Sequence, residues 1–538
     1  MLTGLGKLWV RGRGLFRLAR HLPQLLAEPL TVERAGAAIA RGVRERESRF
    51  LDRLRHSVYG NPRNPYARLL AACGCEYGDV VRLVEAEGLD GALRKLALAG
   101  VYLSFDEFKC RRPAIRGSQT FHFDPEDFTD PGFRGWQGRQ TSGTTGPPMR
   151  FGASFELMAQ WSLHWCVFFA ANDVLGTPLI FWTPGNAGNI TPQLACARFR
   201  QRVDHWFVSQ RMPHAVDRAY TWARHAIARH YAGLPRPRLV PYHAVELVLA
   251  EAVRLLRLCG RVCLSTAPSA AVRLSLAAQE QGVDLSGLVF LLGAEPLTPA
   301  RRQTIEASGA RPVPLYGSTE AVWTGGQCPW PQEVDEVHVL RDLHAVIADP
   351  ASEAGDGTEP ARLLFTTLAA GTSKFLLNTD IGDTGVIGRR RCDCLYDRLG
   401  CHQTIHTIRS ADKLTEFGVT IWVADVHEVL ESVLARRFRA AATDFQLVES
   451  RTESGLPRYF LLVHPRLAGV DNEAVRKAFL EELGRRKRHY AFMTAIWEQQ
   501  RLIELLRRPP LPAPSGKLLP FLRLRDASAL SLTGLAAD

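Results

Sequence analysis

Short apolar runs that end in turn residues recur between residues 150 and 390, and stretches of helical periodicity separate them. The runs share a strand-like hydrophobicity and read PLIFWTP, RVCLSTAPS, LVFLLGAEP, RPVPLYGST and ARLLFTTLA. Strands that alternate with helices are typical of an α/β fold. Loops rich in Gly, Ser, Thr and Pro that follow such strands lie at the edge where open α/β sheets bind ligands. The sequence therefore predicts an α/β protein with a ligand site at that edge.

Three regions of the chain differ in their patterns. Residues 31–98 carry apolar residues at three- and four-residue spacing without strand-like alternation, which predicts a helical N-terminal region over residues 1–110. Residues 111–408 contain the alternating pattern and are expected to form a large α/β domain. The composition shifts near the polar stretch HTIRSADKLTEFG. We therefore expect residues 409–538 to form a small α+β C-terminal domain.

The chain carries 67 basic and 55 acidic residues, and this surplus of positive charge, +12, is scattered in short clusters. Such a charge distribution favours anionic ligands such as nucleotides. Because no continuous basic stripe interleaved with aromatic residues is present in the sequence, we expect no nucleic-acid partner.

The first thirty residues lack the apolar run of a signal peptide or a membrane span. Charged residues interrupt every apolar stretch there; they are Lys7, Arg11, Arg13, Arg17 and Arg20. We therefore expect a cytoplasmic protein with no transmembrane segment. The basic amphipathic start fits either a weak contact with a membrane surface or an ordinary docking helix.

The stretch RQTSGTTGPPMRF concentrates glycines, hydroxyl residues and prolines in one loop. Because its centre has little side-chain bulk, backbone N–H groups and hydroxyls can close around a polyanion such as phosphate. The residues of this centre are Thr141, Ser142, Gly143, Thr144, Thr145 and Gly146. An exposed flexible linker is the alternative interpretation. The stretch is not a P-loop NTPase signature, because Gly-Lys-Ser/Thr is absent.

Five stretches follow one another along the chain in the order TSGTTGPPMRF, TAPSAAVRLSLAAQEQGVDLSGLVFLLGAEPLT, PLYGSTEAVW, DIGDTG and APSGK. In this order they resemble the motifs of adenylate-forming enzymes, the acyl-CoA synthetase and ligase superfamily that makes acyl-AMP from a carboxylic acid and ATP. The second stretch looks most like the phenylacetate–CoA ligase-like branch. The resemblance covers residues 140–520 and implies a large N-terminal α/β adenylate-forming domain with a small mobile C-terminal lid domain.

The resemblance implies roles for several residues at the nucleotide. Residues 141–146 match the phosphate loop, Tyr316 the aromatic neighbour of the adenine, and Asp383 the carboxylate that accepts both ribose hydroxyls, with Asp380 as its rival. Thr319 matches a phosphate-contacting hydroxyl, and Glu320 matches the carboxylate that holds Mg²⁺, a hard cation that prefers oxygen ligands. The further residues that we place at the nucleotide are Gly293, Ala294, Glu295, Pro296, Gly317 and Ser318.

Two further motifs lie near the predicted domain boundary and near the C-terminus. Arg409 and Asp412 resemble the hinge between the domains, where the arginine also reaches the nucleotide. Lys517 matches the lysine that the small domain inserts beside the forming acyl-phosphate bond. Four positions depart from the family pattern, and they are Pro147, Asn378, Thr379 and Ala411. Since Pro147 replaces a lysine that often follows the second glycine of the phosphate loop, we expect slower or differently ordered use of ATP.

The implied reaction activates a small-molecule carboxylic acid to acyl-AMP, releases pyrophosphate and passes the acyl group to a thiol. The implied catalytic residues are Lys517, Glu320 and Arg409, and the implied cofactors are ATP, Mg²⁺ and CoA. A carrier-protein thiol or an amine is the alternative acceptor, and a catalytically degenerate nucleotide-binding relative is the alternative function.

An aromatic stripe follows the predicted phosphate loop. Its members, spaced i, i+3, i+4 and i+7, are Trp161, His164, Trp165 and Phe168. At this spacing they share one helical face, which faces either the acid substrate or the protein core.

Eleven cysteines in a chain without an export signal indicate thiols or metal ligands rather than disulfides. Four candidate ligands lie between the YGSTE stretch and the hinge, namely Cys328, His338, Cys392 and Cys394. A Cys-x-Cys pair with two ligands from a separate loop can complete a tetrahedral structural Zn²⁺ site. Some phenylacetate–CoA ligase-like proteins carry a similar arrangement. Buried free thiols are the alternative, and Cys401 with His402 is the rival ligand pair.

Overall fold

The computed structural model describes most of the chain. The described ranges are 4–140, 149–183, 190–209, 215–241, 244–352, 359–410, 413–416, 419–452, 454, 456–467, 469–486, 490–511 and 520–524. Outside them lie the predicted phosphate loop at 141–146, Pro147, Ala411, Asp412 and Lys517. Within the described ranges, no helix combines the length and the apolar character that crossing a membrane requires.

The N-terminal region is helical, as the sequence predicted. Its α-helices are α1 (Gly4–Ala27), α2 (Val32–Arg44), α3 (Arg46–Arg53), α4 (Pro65–Ala72), α5 (Tyr77–Leu98) and α6 (Phe105–Phe108). Side-chain oxygens start two of them: Thr31 Oγ1 accepts from the Arg34 N–H at 3.3 Å, and Asn64 Oδ1 accepts from the Tyr66 N–H at 3.0 Å. A short hairpin, β1 (Ala114–Arg116) and β2 (Gln119–Phe121), follows the helices.

The alternating segment of the sequence forms helices and parallel strands. A hairpin, β3 (Gln137–Gln140) and β4 (Arg150–Ala153), flanks the predicted phosphate loop. The helices are α7 (Phe155–Ala171), α8 (Ile190–Ala197), α9 (Ala215–Ala232), α10 (Val245–Cys259), α11 (Pro268–Glu280) and α12 (Pro299–Glu306). The strands are β5 (Leu179–Thr183), β6 (Val203–Val208), β7 (Pro237–Leu239), β8 (Val262–Thr266), β9 (Leu288–Leu292) and β10 (Arg311–Ser318). They pair in parallel in the order β10-β9-β8-β5-β6-β7. Every residue of β9 is buried, as expected for a strand covered on both faces.

An antiparallel half extends the same sheet. Its strands are β11 (Val322–Gly326), β12 (Val337–Val339), β13 (His344–Ala348), β14 (Ala361–Thr367), β15 (Thr379–Arg389) and β16 (Gln403–Arg409), with α13 (Leu395–Arg398) between the last two. They lie in the order β13-β14-β15-β16-β12-β11 beside β10. The first half of β10, residues 311–314, pairs in parallel with β9, and residues 315–318 pair antiparallel with β11. We call this change of partner the seam.

The chain beyond Arg409 forms a separate, smaller sheet. After the hairpin β17 (Lys413–Glu416) and β18 (Val419–Trp422), the strands are β19 (Phe445–Arg451), β20 (Pro457–Val463), β21 (Ile503–Arg507) and β22 (Phe521–Arg523), in the order β21-β20-β19-β22. The helices are α14 (Val423–Glu428), α15 (Ala435–Arg437), α16 (Asn472–Arg486) and α17 (Tyr490–Gln499). Leu447, Phe479 and Trp497 are fully buried among these elements. The predicted fold class, a large α/β unit with a smaller α+β C-terminal unit, is confirmed.

The N-terminal helical region is attached to the large sheet at two positions that depart from the family pattern. Asn378 is fully buried with a left-handed φ of +46°, and its Nδ2 donates to the Leu93 carbonyl at 2.8 Å and to the Val101 carbonyl at 3.1 Å. The hydroxyls of Thr379 and Tyr66 lie 2.5 Å apart. At these two positions the chain therefore carries side chains that bind the N-terminal region.

We expect Asn378→Ala to lower the free energy of unfolding by about 3 kcal/mol, because two buried carbonyls lose the Asn378 Nδ2 donor and alanine tolerates this left-handed φ less well than asparagine does. Asn378→Gly is the matched control, since it removes the same hydrogen bonds but relieves the backbone. It should lose less stability than the alanine variant. Urea unfolding followed by tryptophan fluorescence measures both, and an alanine variant as stable as the parent would contradict the role of Asn378.

Candidate functional site

The turn that carries the YGSTE stretch lies at the seam, where the chain leaves the parallel half of the sheet. The pairing of β10 with β11 shifts register between Tyr316 and Gly317. A β-carbon at Gly317 would lie 2.4 Å from the Val322 carbonyl oxygen, so only glycine permits this close approach. Ser318 Oγ accepts a hydrogen bond from the Ala321 N–H at 2.9 Å and holds the turn.

Tyr316 meets Asp383, although the two residues come from separate motifs. The Tyr316 hydroxyl donates to Asp383 Oδ2 at 2.9 Å, and Asp383 is 8% exposed in β15. Burial, followed by the charge of Asp383, raises the pKa of Tyr316 well above its usual value, so the phenol stays a donor. The resemblance implies that Tyr316 neighbours the adenine and that Asp383 binds the ribose. These two residues are hydrogen-bonded to each other.

Asp380, the rival for the ribose role, has a different environment. Its Oδ1 accepts from the Gly382 N–H at 2.7 Å, and Arg362 Nε lies 3.6 Å from its Oδ2. Burial raises the pKa of Asp380 to about 6. The Asp380 carboxylate therefore shapes the DIGD turn, whereas Asp383 contacts Tyr316.

A cleft opens beside the turn between β10 and β11, and we call it the Glu320 cleft. Its empty space amounts to about 390 Å³, part of it open to solvent. The residues that line it are Phe151, Gly152, Ala153, Trp161, Thr319, Glu320, Val322, Thr372, Ser373 and Lys374. Two residues of the YGSTE stretch therefore face the same space as residues of β4, α7 and β11, and as Thr372, Ser373 and the buried Lys374 from the connection after β14.

The aromatic stripe on α7 divides between the cleft and the core. Trp161 lines the cleft. His164 is fully buried with Nε2 2.9 Å from Asp342 Oδ1, and Trp165 packs on Trp323 with ring centroids 4.7 Å apart. The core interpretation therefore holds for His164 and Trp165, whereas Trp161 faces the space available to a substrate.

Lys109 contacts Glu320, and sequence reasoning missed it. Its ammonium lies 2.5 Å from Glu320 Oε1, and both side chains are 7% exposed. Lys109 follows α6, 211 positions before Glu320, and no motif spacing connects the two. The carboxylate that the resemblance assigns to Mg²⁺ is thus already beside a cation from the N-terminal region.

The Gly293–Pro296 run follows β9 at the carboxyl edge of the parallel half, and Ala294 has a left-handed φ of +70°. The Glu295 carboxylate is fully buried: Oε2 accepts from Arg301 at 2.8 Å and Oε1 accepts from Ser269 Oγ at 2.8 Å. Glu295 therefore anchors this loop to the first turn of α11. Protein donors engage the Glu295 carboxylate, and the backbone of the loop lies at the carboxyl edge of the parallel strands.

Arg409 ends β16 and pairs with Asp335, a residue that carries no motif in the sequence. Arg409 Nη1 lies 2.7 Å from Asp335 Oδ2, and the same carboxylate accepts from the Thr407 N–H at 2.7 Å and the Ile408 N–H at 3.0 Å. Asp335 therefore fixes both the backbone before the predicted hinge and its arginine. The hinge partner Asp412 and the catalytic candidate Lys517 lie outside the described residues.

The four predicted zinc ligands come together from β12 and from the segments that follow β11 and β15. The ligand atoms of Cys328, His338, Cys392 and Cys394 all lie within 4.8 Å of one another. His338 Nε2 is 3.5 Å from the Sγ atoms of both Cys392 and Cys394. Tetrahedral zinc with Zn–N and Zn–S distances of about 2.1 and 2.3 Å separates such atoms by about 3.6 Å. The donor set and its spacing therefore fit a zinc ion.

Neighbouring groups orient this cluster. His338 Nδ1 lies 2.7 Å from the Cys401 carbonyl, which fixes the ring so that Nε2 faces the thiols. Asp397 Oδ2 accepts from the Cys392 and Asp393 N–H groups at 2.9 Å, and its Oδ1 holds His402 at 2.7 Å. The rival pair does not belong to this group of four: His402 lies on Asp397, and Cys401 meets His338 through its carbonyl and not through its thiol. Hydrogen bonding with Cys394 lowers the pKa of Cys328. The same hydrogen bond, together with burial, raises the pKa of Cys394 to about 12.

No protein-family model matches this chain, and no curated protein matches it. Among solved structures, 2-hydroxyisobutyryl-CoA ligase in complex with 2-HIB-AMP and CoA matches with a TM-score of 0.55 and 13% identity, over 95% of this chain and 94% of that chain. A Bacillus subtilis o-succinylbenzoate CoA synthetase double mutant, bound with a product analogue, matches with a TM-score of 0.41 and 15% identity, over 71% and 67%. An amide bond synthetase from Marinactinospora thermotolerans matches with a TM-score of 0.40 and 14% identity, over 88% and 98%.

The similarity to 2-hydroxyisobutyryl-CoA ligase spans nearly the whole of both chains. At this identity the likeness is one of fold. The chain therefore shares the overall fold of 2-hydroxyisobutyryl-CoA ligase.

Proposed function

We propose that this protein is an ATP-dependent, AMP-forming acid–thiol ligase of the phenylacetate–CoA ligase-like type. The observation that carries the proposal is the 2.9 Å hydrogen bond between Tyr316 and Asp383, which joins the implied adenine and ribose contacts across 67 positions. A shared fold alone does not identify a reaction, because one fold supports many functions. Here two motifs of separate origin meet beside a cleft that contains the third implied group, Glu320.

In the proposed reaction the substrate carboxylate attacks the α-phosphorus of ATP. A carboxylate is already a nucleophile at neutral pH, so the site needs no general base and its work is electrostatic. Asp383 would orient the ribose and Thr319 would contact phosphate. Glu320 has the oxygen chemistry that suits Mg²⁺, which when bound spreads the charge that develops on the phosphates.

The C-terminal subdomain would complete the site. In this proposal Arg409 contacts the nucleotide and Lys517 reaches the acyl-phosphate bond as it forms. Rotation about the predicted boundary at residue 409 would then withdraw Lys517 and admit a thiol, a step that protects the intermediate from water. Asp335 would hold Arg409 in place while the subdomain moves.

The acid would enter the Glu320 cleft. Trp161, Val322 and Phe151 offer apolar contact there, and Thr372 and Ser373 line the same cleft. This mixture suits a small acid with an apolar body. CoA is the proposed acceptor; a carrier-protein thiol or an amine is the alternative, and a nucleotide-binding relative without turnover is the rival function.

Pyrophosphate release with a panel of aryl, short branched and fatty acids tests the adenylation step. We expect at least one acid to release pyrophosphate in the absence of any thiol, with acyl-AMP detected by mass spectrometry. Added CoA should then convert it to the thioester. Lys517→Ala should lower the rate about 100-fold or more with ATP binding retained, because its charge acts in the transition state. Lys95→Ala, an exposed lysine paired with Glu87, is the matched control. ATP binding without pyrophosphate release for any acid would favour the degenerate relative.

We further propose that the cluster of three cysteines and His338 holds one structural zinc ion. Cys328 follows β11, and Cys392 and Cys394 follow β15, so one ion would pin the segment after the seam turn to the segment after Asp383. Both segments lead away from proposed nucleotide residues. Zinc is not needed for adenylation, so its loss should act on stability first.

Elemental analysis of the purified protein should find about one equivalent of zinc. The Cys392→Ser and Cys394→Ser double variant should lose the metal and unfold at lower temperature, with activity falling as a consequence. Cys401→Ser is the matched control, because this buried thiol belongs to the rival pair, and it should keep the metal. Less than about a tenth of an equivalent in the parent protein, with thiols that titrate freely, would refute the site.

A further inference from the structure

The Glu320 carboxylate is held by a cation that belongs to the protein. Lys109 Nζ lies 2.5 Å from Glu320 Oε1 with both side chains almost completely buried. The same ammonium lies over two aromatic rings, 5.2 Å from the centroid of Phe108 and 5.6 Å from that of Phe105. An ammonium in such surroundings is stabilised by the carboxylate and by both rings.

The segment that carries Lys109 is fixed on both sides. Glu107, its closest acidic neighbour in sequence, is engaged with Arg116 at 3.0 Å, so the local carboxylate is already paired. The Leu103 N–H donates to the Asn378 carbonyl at 3.1 Å, and the Asp380 N–H donates to the Leu103 carbonyl at 2.9 Å. The segment that carries Lys109 is therefore attached, through Leu103, to the start of β15, the strand that carries the proposed ribose carboxylate.

An ammonium and a divalent cation compete for such a carboxylate. Mg²⁺ binds oxygen at about 2.0–2.1 Å, and Lys109 lies against the same group, so the two positive charges repel each other strongly in a buried site. Removing one partner of a buried ion pair leaves an uncompensated charge, which is costly. A carboxylate deprived of its ammonium therefore gains affinity for another cation.

We propose that Lys109 is the resident counter-ion of Glu320 and that Mg²⁺ must displace it, so that Lys109 sets the divalent-cation requirement of the site. The inference rests on the proposed function, in which Glu320 is the Mg²⁺ ligand. It assigns a role to a residue of the N-terminal region that the motifs do not include.

Thermal unfolding without nucleotide or acid tests this exchange. The probe is MgCl₂, compared with NaCl of equal ionic strength, in buffer freed of divalent ions over a chelating resin so that no soluble chelator strips the cysteine cluster. The parent protein should gain little from Mg²⁺. Lys109→Met should unfold at lower temperature and recover at least about 3 °C more in Mg²⁺ than in NaCl, because binding to the folded state stabilises it.

Two further variants separate the explanations. Lys109→Arg keeps the charge and should behave as the parent does, whereas Lys109→Met combined with Glu320→Gln should lose the response to Mg²⁺. If Lys109→Met fails to fold, Lys109→Gln takes its place and should show the same recovery. An equal Mg²⁺ gain in the parent, no gain in the uncharged variants, or a gain that persists without the Glu320 carboxylate would each overturn the proposal. Because no substrate is present, a failure of adenylation is observed separately, in the pyrophosphate assay.

Discussion

The change of partner along β10 is the constraint on which the rest of the site depends. Its first four residues pair in parallel with β9 and its last four pair antiparallel with β11. Because the strand leaves the parallel half at this point, Tyr316 can reach Asp383 on β15, and Glu320 lines the cleft. The same reversal brings Cys328 and His338 back toward the loop after β15. One topological change thus assembles both the proposed nucleotide site and the cysteine cluster.

The N-terminal helical region is part of this arrangement. Asn378 and Thr379 bind it to β15 at the positions where the sequence departs from the family pattern. Lys109 of the same region contacts Glu320. At Asn378 and Thr379 the chain therefore attaches α5 and α4, respectively, to the large sheet. In this account the N-terminal region acts on the charge of the site as well as on its stability.

The sequence predicted the elements with strong periodicity and the groups carried by motifs. Alternating apolar runs predicted the α/β architecture, and the cysteine spacing predicted four residues whose ligand atoms do come together. Contacts between distant positions were not predictable in this way. Lys109 with Glu320 and Asp335 with Arg409 have no periodic or motif signal, because their pairing depends on how the strands and the N-terminal helices are arranged in space. Burial also changes a residue's role: Glu295 looks like a ligand in a motif, yet its carboxylate is engaged by Ser269 and Arg301.

In the proposed function Asp383, oriented by Tyr316, binds the ribose of a nucleotide at the seam. The most direct measurement is the equilibrium affinity for ATP compared with 2′,3′-dideoxy-ATP, by calorimetry without any acid. In the dideoxy nucleotide the Asp383 carboxylate keeps its Tyr316 donor but loses both ribose hydroxyls, so the parent should bind ATP at least about 10-fold more tightly. Asp383→Asn should remove most of this preference for ATP over the dideoxy nucleotide, and Asp380→Asn should retain it. Equal affinities in the parent, or a preference that depends on Asp380 instead, would contradict the account.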